Sequence, residues 1–218
     1  MAVDKTMHMA RFYRSLYAII DSSFTGSSSY SRACLSCIRG GASIIQLRMK
    51  GHETREILEA AAELAPLCAE HDVVFIVNDR PDIALSCGAR GVHLGQRDMP
   101  VPEARKLLPE NMIIGISTHS YEEVELALYS KPDYIAVGPL FDTNSKDGSM
   151  MHGIGTDILE DIRNITDIPL VGIGGINDTN AAGVIARGCH ACAVMGYLQS
   201  DPEENSRKIM TAIRERGA

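Results

Sequence analysis

Short apolar runs recur along the whole chain, each followed by a stretch of helical patterning. The runs cover residues 16–20, 43–47, 73–77, 91–94, 112–116, 134–137, 170–173 and 191–195. Most are too short for helices and are rich in Val and Ile, which predicts parallel strands buried on both faces. Amphipathic or Ala-rich stretches lie between them, clearest at 53–70, 121–129, 157–163 and 178–187, and a last one over 202–216 closes the chain. Gly40-Gly41, Gly88 and Gly188 stand where left-handed helix caps are wanted. Eight strands alternating with about eight helices specify an α/β chain. Eight such units in 218 residues match a single (βα)8 TIM barrel, slightly below its usual ~250 residues. A doubly wound open sheet is the runner-up, because periodicity does not show closure. No linker divides the chain, so residues 1–14 read as an N-terminal extension and 15–218 as one catalytic barrel domain.

Polar residues concentrate just after the apolar runs. Asp21 follows the first, Arg48 and Lys50 the second, Asn78 and Asp79 the third, Gln96 and Asp98 the fourth, and Ser117 and His119 the fifth. Thr143, Ser145 and Lys146 follow the sixth, and Gly174-Gly175 the seventh. In a parallel barrel these positions converge on the carboxyl-end face, where such folds place their sites.

Composition narrows the ligand. Hydrophobic residues make up 45% and charged residues 22%, as in a folded globular chain, and 23.7 kDa suffices for a core without disulfides. The net charge is −7, Trp is absent and aromatics are only 5%, which disfavours nucleic acid and anionic membranes as partners. No uncharged apolar run is long enough to span a bilayer, and the polar start of the chain carries no secretory signal, so a cytoplasmic location is expected. Small phosphorylated molecules are the expected partners, and an oligomer is compatible with the reading. Cys34, Cys37, Cys68, Cys87, Cys189 and Cys192 include two C-x-x-C pairs. Zinc and redox chemistry are conceivable there, but helical and strand-like settings favour small buried thiols, free and without zinc.

Arg48 and Lys50 lie two apart on an extended segment, so both can face one side and grip a phosphate or diphosphate. Asp79 and Asp98 each close a run and suit Mg²⁺, a hard cation that bridges phosphates; each could equally cap the helix that follows. Residues 143–155, rich in Gly, Ser and Met, form the longest irregular segment and read as a lid over the mouth, with hydroxyls and Lys146 available to a phosphate. Gly172-Ile173-Gly174-Gly175-Ile176 then offers backbone N–H groups where barrels often bind phosphate.

Six segments carry a resemblance: Gln46-Leu47-Arg48-Met49-Lys50, Val77-Asn78-Asp79-Arg80, Gly91-Val92-His93-Leu94-Gly95-Gln96-Arg97-Asp98, Gly115-Ile116-Ser117-Thr118-His119, Gly138-Pro139-Leu140-Phe141-Asp142-Thr143 and Gly172-Ile173-Gly174-Gly175-Ile176. In that order, from about residue 16 to 198, the chain resembles the thiamine phosphate synthases. The resemblance implies a Mg²⁺-dependent transferase that condenses hydroxymethylpyrimidine diphosphate with hydroxyethylthiazole phosphate, by dissociative substitution, to thiamine phosphate and diphosphate. By position it implies that Gln46, Arg48, Lys50, Asn78, Ser117 and Lys146 bind the pyrimidine diphosphate and that Asp79 and Asp98 hold Mg²⁺. Thr143, Ser145, Gly175, Met195 and Gly196 would face the thiazole phosphate.

Two departures stand out. The family's T-x-T-K is Thr143-Asn144-Ser145-Lys146 here, which keeps the hydroxyl. Its usual Ser after the eighth strand is replaced within Met195-Gly196-Tyr197-Leu198, which removes one. Rival readings are a thiazole tautomerase-like barrel, disfavoured because such enzymes typically carry His where Pro139 stands, and a non-catalytic barrel that binds a phosphorylated ligand.

Overall fold

In the computed structural model, which describes residues 5–22, 29–144 and 150–215, every apolar run is a strand. The strands are β1 (Ser15–Asp21), β2 (Ile44–Arg48), β3 (Val74–Asn78), β4 (Gly91–Leu94), β5 (Ile113–Thr118), β6 (Tyr134–Val137), β9 (Leu170–Ile173) and β10 (Ala191–Val194). All pair in parallel, and the sheet closes in the order β1-β10-β9-β6-β5-β4-β3-β2. Closure decides for the eight-stranded barrel against the open sheet. Two further short strands, β7 (Thr143–Asn144) and β8 (Met150–Met151), pair antiparallel outside it.

The helices between are α1 (Lys5–Met9), α2 (Tyr30–Arg39), α3 (Thr54–Glu70), α4 (Pro81–Cys87), α5 (Val101–Leu107), α6 (Tyr121–Tyr129), α7 (Ile158–Arg163), α8 (Ala181–Ala186) and α9 (Pro202–Glu215). Among the described residues no helix is long and apolar enough to cross a membrane. α3 shows how the sequence sets such an element. Glu53 and Glu56 form a capping box at its start, and Ile57, Ala60, Ala61, Leu64 and Cys68 supply the buried face. The end expected at residue 187 is close, but the start expected at 178 is not: α8 begins at Ala181. Asn177 and Asn180 spend their side chains on the backbone and hydroxyl of 177–179, and such local bonds compete with helix. Gly41, Gly88 and Gly188 take positive φ as expected, but Gly40 does not. It is wanted for space instead, because a Cβ there would strike Ser206 and the backbone of α9.

Alternate strand residues divide the core in two. Leu16, Ala18, Ile45, Leu47, Phe75, Val77, Val92 and Ile135 face outward to the helices. Tyr17, Ile19, Ile44, Val74, Ile76, Ile113, Tyr134, Ala136, Val171, Ala191 and Ala193 fill the barrel itself, and Phe12, from the turn after α1, packs with them. Phe12 lies 4.8 Å from the Tyr134 ring and 6.2 Å from that of Tyr17. Thus the extension before β1 contributes a side chain to the barrel's inner core.

Four strand ends, those of β1, β2, β3 and β5, differ from expectation in one consistent way, clearest in β5. It runs on to Thr118, so Ser117 lies within a strand that pairs Ser117 with Ala136 and Thr118 with Val137. β1 likewise includes Asp21, β2 Arg48 and β3 Asn78. Ladder pairing continues past the last apolar residue, and it fixes the direction in which these polar side chains point.

Gly115 is what lets the inner core close. A Cβ there would overlap the Tyr134 ring, which occupies the space above it. We therefore expect Gly115→Ala to destabilise the protein by about 1–3 kcal/mol and lower Tm by about 2–12 °C. Gly183→Ala, in α8 with open space around the added methyl, should be neutral or stabilising in the same calorimetric comparison. Equal Tm values for the two variants would show that the Gly115–Tyr134 approach does not limit packing.

Candidate active site

At the ends of β1 to β5 the inward residues form one connected polar surface. Arg48 Nη1 meets Asp21 Oδ2 at 2.6 Å, with the Arg48 side chain 17% and the Asp21 side chain 3% exposed. Lys50 Nζ lies 3.2 Å from Asp79 Oδ2. Arg48 is therefore anchored at the mouth by a buried carboxylate, while Lys50 reaches Asp79 from an exposed turn. Burial pulls the Arg48 guanidinium downward in pKa, while Asp21, Asp79 and Asp98 oppose that shift, so all three carboxylates act on one cation.

Asp79 and Asp98 come from the loops that follow β3 and β4, and their carboxyl groups adjoin. Neither caps a helix. Residue Arg80 holds the N-cap of α4 with no side-chain cap bond, and Asp98 Oδ2 accepts from the Gly95 amide at 2.7 Å within its own loop. Asp79 has φ +64°, a left-handed conformation that costs a non-glycine residue about 1–3 kcal/mol and tends to persist where function requires it. Its amide donates to the His93 carbonyl at 2.8 Å, which ties the strained turn to β4. Burial raises the Asp79 carboxyl to about 6, the adjoining Asp98 adds to the rise, and Lys50 offsets part of it. Two carboxylates pressed together with too little positive charge fit a hard divalent cation. Among the described residues no cluster of three or more His, Cys, Asp or Glu side chains is available, so such an ion would take its remaining ligands from water or phosphate, as Mg²⁺ commonly does.

Beneath this surface runs a buried string of polar side chains. Gln46 Nε2 donates to Tyr17 Oη at 2.7 Å, and Tyr17 Oη lies 2.9 Å from Tyr134 Oη. Tyr134 Oη lies 2.8 Å from His93 Nδ1, and His93 Nε2 lies 2.8 Å from Ser117 Oγ. Burial pushes His93 down to about 4 and both tyrosines upward, so all three are neutral near pH 7. Tyr17, His93 and Tyr134 were invisible as site residues because they sit inside apolar runs. The usable signal was the inward parity of His93, midway between Gly91 and Gly95.

Across the mouth, Leu140 and Phe141 donate their amides to the carbonyls of Ile173 and Gly174 at 2.8 and 3.2 Å. This seats the segment leading to Thr143 against the end of β9. Gly175, at φ +66°, lies so close that a Cβ would come 2.7 Å from Phe141 Cβ and 2.9 Å from Asp142 O. β10 pairs Ala193 with Ile173, so Met195 and Gly196 leave the strand end adjoining Gly175. Nothing lies within 4 Å of a Cβ added at Gly196. The segment expected to be irregular is ordered at its base: Thr143 pairs with Met151, Asn144 with Met150, and Asp142 Oδ1 accepts from the Gly153 amide at 2.8 Å. Ser145 and Lys146 lie outside the described residues.

Other strand-end groups are engaged locally. His119 pairs with Glu123 at 3.0 Å, and Gln96 donates to the Ser117 carbonyl at 2.6 Å. Cys34, Cys37, Cys68, Cys189 and Cys192 are buried and free, Cys87 is free and half-buried, and burial pushes Cys37 and Cys189 up to about 12. Such thiols behave as small apolar groups.

Comparison with known proteins gives a consistent result. Residues 16–198 match the family described as thiamine monophosphate synthase. The chain is 40% identical to a thiamine-phosphate synthase of Shouchella clausii over 92% of its length and 96% of the relative's. It is 42% identical to one of Moorella thermoacetica over 93% and 97%. Among solved structures, thiamine phosphate pyrophosphorylase from Pyrococcus furiosus superposes with a TM-score of 0.84 at 32% identity, covering 95% of this chain and 99% of that one.

The raised Asp79 carboxyl has a measurable consequence. A folded pKa of about 6 against an ordinary 3.8 means that the native state holds this proton more tightly than the unfolded chain. The contribution is fully present below about pH 4 and lost as pH rises through about 6, leaving a net cost above that. Asp79→Asn, whose side chain tolerates positive φ, should therefore make the metal-free protein more stable at pH 7 by about 1–3 kcal/mol, with no difference at low pH. Adding Mg²⁺ should raise the Tm of the parent and not that of the variant. Thermal melts at pH 4 and pH 7 with and without Mg²⁺ check this; a variant less stable at both would mean that the two carboxylates do not repel.

Proposed function

The chain belongs to the thiamine monophosphate synthase family, whose members are transferases, and from that premise we propose that its mouth joins hydroxymethylpyrimidine diphosphate to hydroxyethylthiazole phosphate. The observation that carries this reading is the Asp79–Asp98 pair crowded beside Arg48 and Lys50. In it, Gln46, Asn78 and Ser117 hold the pyrimidine, Arg48, Lys50 and Lys146 hold its diphosphate, and Asp79 and Asp98 hold Mg²⁺. Thr143, Ser145, Gly175, Met195 and Gly196 face the thiazole phosphate. When bound, the ion would supply positive charge opposite the diphosphate oxygens.

The chemistry asked of the protein is charge stabilisation. The C–O bond at the pyrimidine methylene breaks, and its electron pair leaves with diphosphate. The thiazole nitrogen then contributes its lone pair to the new C–N bond, so the product is thiamine phosphate. No protein nucleophile is required. The guanidinium of Arg48, already oriented by Asp21, can meet two leaving oxygens at once, and Lys50 adds a second charge. A tautomerase or a silent phosphate-binding barrel has no need for this combination of carboxylates and cations. Incubation with both substrates and Mg²⁺, followed by detection of thiamine phosphate, tests the reading directly.

We expect Asp98→Asn to lower turnover by about a hundred-fold or more while circular dichroism shows an intact fold. Full activity of this variant at limiting Mg²⁺ would remove the metal role. Gly196→Ser tests the other half of the mouth. The added hydroxyl has room, and one hydrogen bond to a phosphate should lower the KM for thiazole phosphate by about ten-fold. With the phosphate gripped equally in ground and transition states, kcat should hardly change. A change confined to kcat would place the hydroxyl in the chemical step.

A further inference from the structure

The string from Gln46 to Ser117 begins and ends on residues proposed to touch substrate, while its middle lies inside the barrel. Each hydroxyl in it has one proton, and a neutral imidazole has one N–H and one bare nitrogen. Those counts leave little freedom. Gln46 presents Nε2 to Tyr17, so Tyr17 Oη accepts there and its own proton must go to Tyr134. Tyr134 Oη then accepts from Tyr17 and donates to His93 Nδ1. With Nδ1 an acceptor, the neutral ring carries its proton on Nε2 and donates it to Ser117 Oγ.

We propose that Tyr17, Tyr134 and His93 are positioning residues, a one-way hydrogen-bond relay that presents the Gln46 carbonyl as acceptor and the Ser117 hydroxyl as donor to the mouth. Ser117 is satisfied as an acceptor from below, so its proton is directed toward the ligand. Gln46 uses Nε2 below, so Oε1 is left for the ligand. The ends of the relay thus have opposite polarity. A flat heteroaromatic ring bearing an amino group next to an unprotonated ring nitrogen complements them, and an aminopyrimidine is such a ring. This last step rests on the reading under Proposed function; the relay itself does not.

The surroundings keep the relay in place. Tyr134 stacks on His93 with ring centres 5.5 Å apart and an interplanar angle of 21°, and Gly115 opens the space for that ring. Phe12 and Tyr17 pack on its other sides. Turning the Gln46 amide over would reverse every bond: His93 would carry its proton on Nδ1, and Ser117 would become a donor inward. The tautomer of His93 therefore reports the direction.

Nitrogen-15 NMR of the free protein, labelled at histidine and with His93 identified by the signals lost in His93→Asn, reads that tautomer without any substrate. We expect a proton on Nε2 and a bare, hydrogen-bonded Nδ1; a proton on Nδ1 overturns the proposal. In Tyr134→Phe, which keeps the ring and removes the hydroxyl, the Nδ1 signal should lose its hydrogen-bond shift, and Tyr17→Phe interrupts the same relay one step earlier. Calorimetric binding of hydroxymethylpyrimidine diphosphate should weaken by about ten-fold in Tyr134→Phe. Combined with Ser117→Ala, that loss should be much less than the product of the single losses, because both changes disable one relay. Multiplicative losses, or full affinity in both Tyr134→Phe and Tyr17→Phe, overturn it. If the parent protein does not bind this probe at all, the substrate reading fails, and the tautomer alone decides whether the relay stands.

Discussion

The constraint on which everything else rests is the two-residue period of a strand in a closed barrel. Once β1 to β5 are paired, each strand can offer the lumen only every second side chain. Tyr17, Ile19 and Asp21 face inward from β1, Ile44, Gln46 and Arg48 from β2, and Ile113, Gly115 and Ser117 from β5. Along β2 the chemistry therefore changes with height: Ile44 is apolar near the floor, Gln46 hydrogen-bonds in the middle, and Arg48 is charged at the mouth. A one-residue slip in any strand would turn its polar end to the helices and bury a charge without a partner.

The electrostatics of the mouth follow from that convergence. Arg48 and Asp21 face each other because their strands are neighbours, and Asp79 meets Asp98 because β3 and β4 are. The first pair is balanced. The second is not, and its imbalance is expressed in the raised Asp79 carboxyl and in the left-handed backbone that brings it there. Under the proposed function, stability lost at this point is the counterpart of affinity for a cation and the phosphate it accompanies. The opposite rim carries little charge among the described residues and is shaped instead by backbone: Gly174 and Gly175 at positive φ allow the chain at 139–142 to lie against the end of β9. One rim thus attends to charge and the other to close approach.

Beneath both, the hydrogen-bonded string gives the barrel interior a polarity that apolar packing lacks. Hydroxyls and an imidazole at this depth are tolerable only because each is satisfied by the next, and a break at one point leaves two buried groups unpaired. The inner core is therefore also the support of Gln46 and Ser117, and the packing of Phe12 and Gly115 bears on them although neither is near the mouth.

The amino-acid sequence by itself determined the eight strands of the barrel, their order with the helices, and which polar residues would stand at the strand ends, because buried parallel strands and amphipathic helices have different and local periods. The ordered motifs around Gln46, Asp79, Asp98, Ser117 and Gly175 carried the family as well. Closure of the sheet, the extension of β5 through Ser117 and the shortened α8 were decided by tertiary structure, since ladder pairing and Asx bonds at Asn177 and Asn180 override local pattern. The same holds for Asp79 and Asp98: spacing left them either caps or ligands, and only the tertiary structure shows that they meet in space and that neither caps a helix. Tyr17, His93 and Tyr134 read as core and are core. That they also form a chain from Gln46 to Ser117 depends on contacts such as Tyr17 with Tyr134, 117 residues apart, which no local pattern encodes.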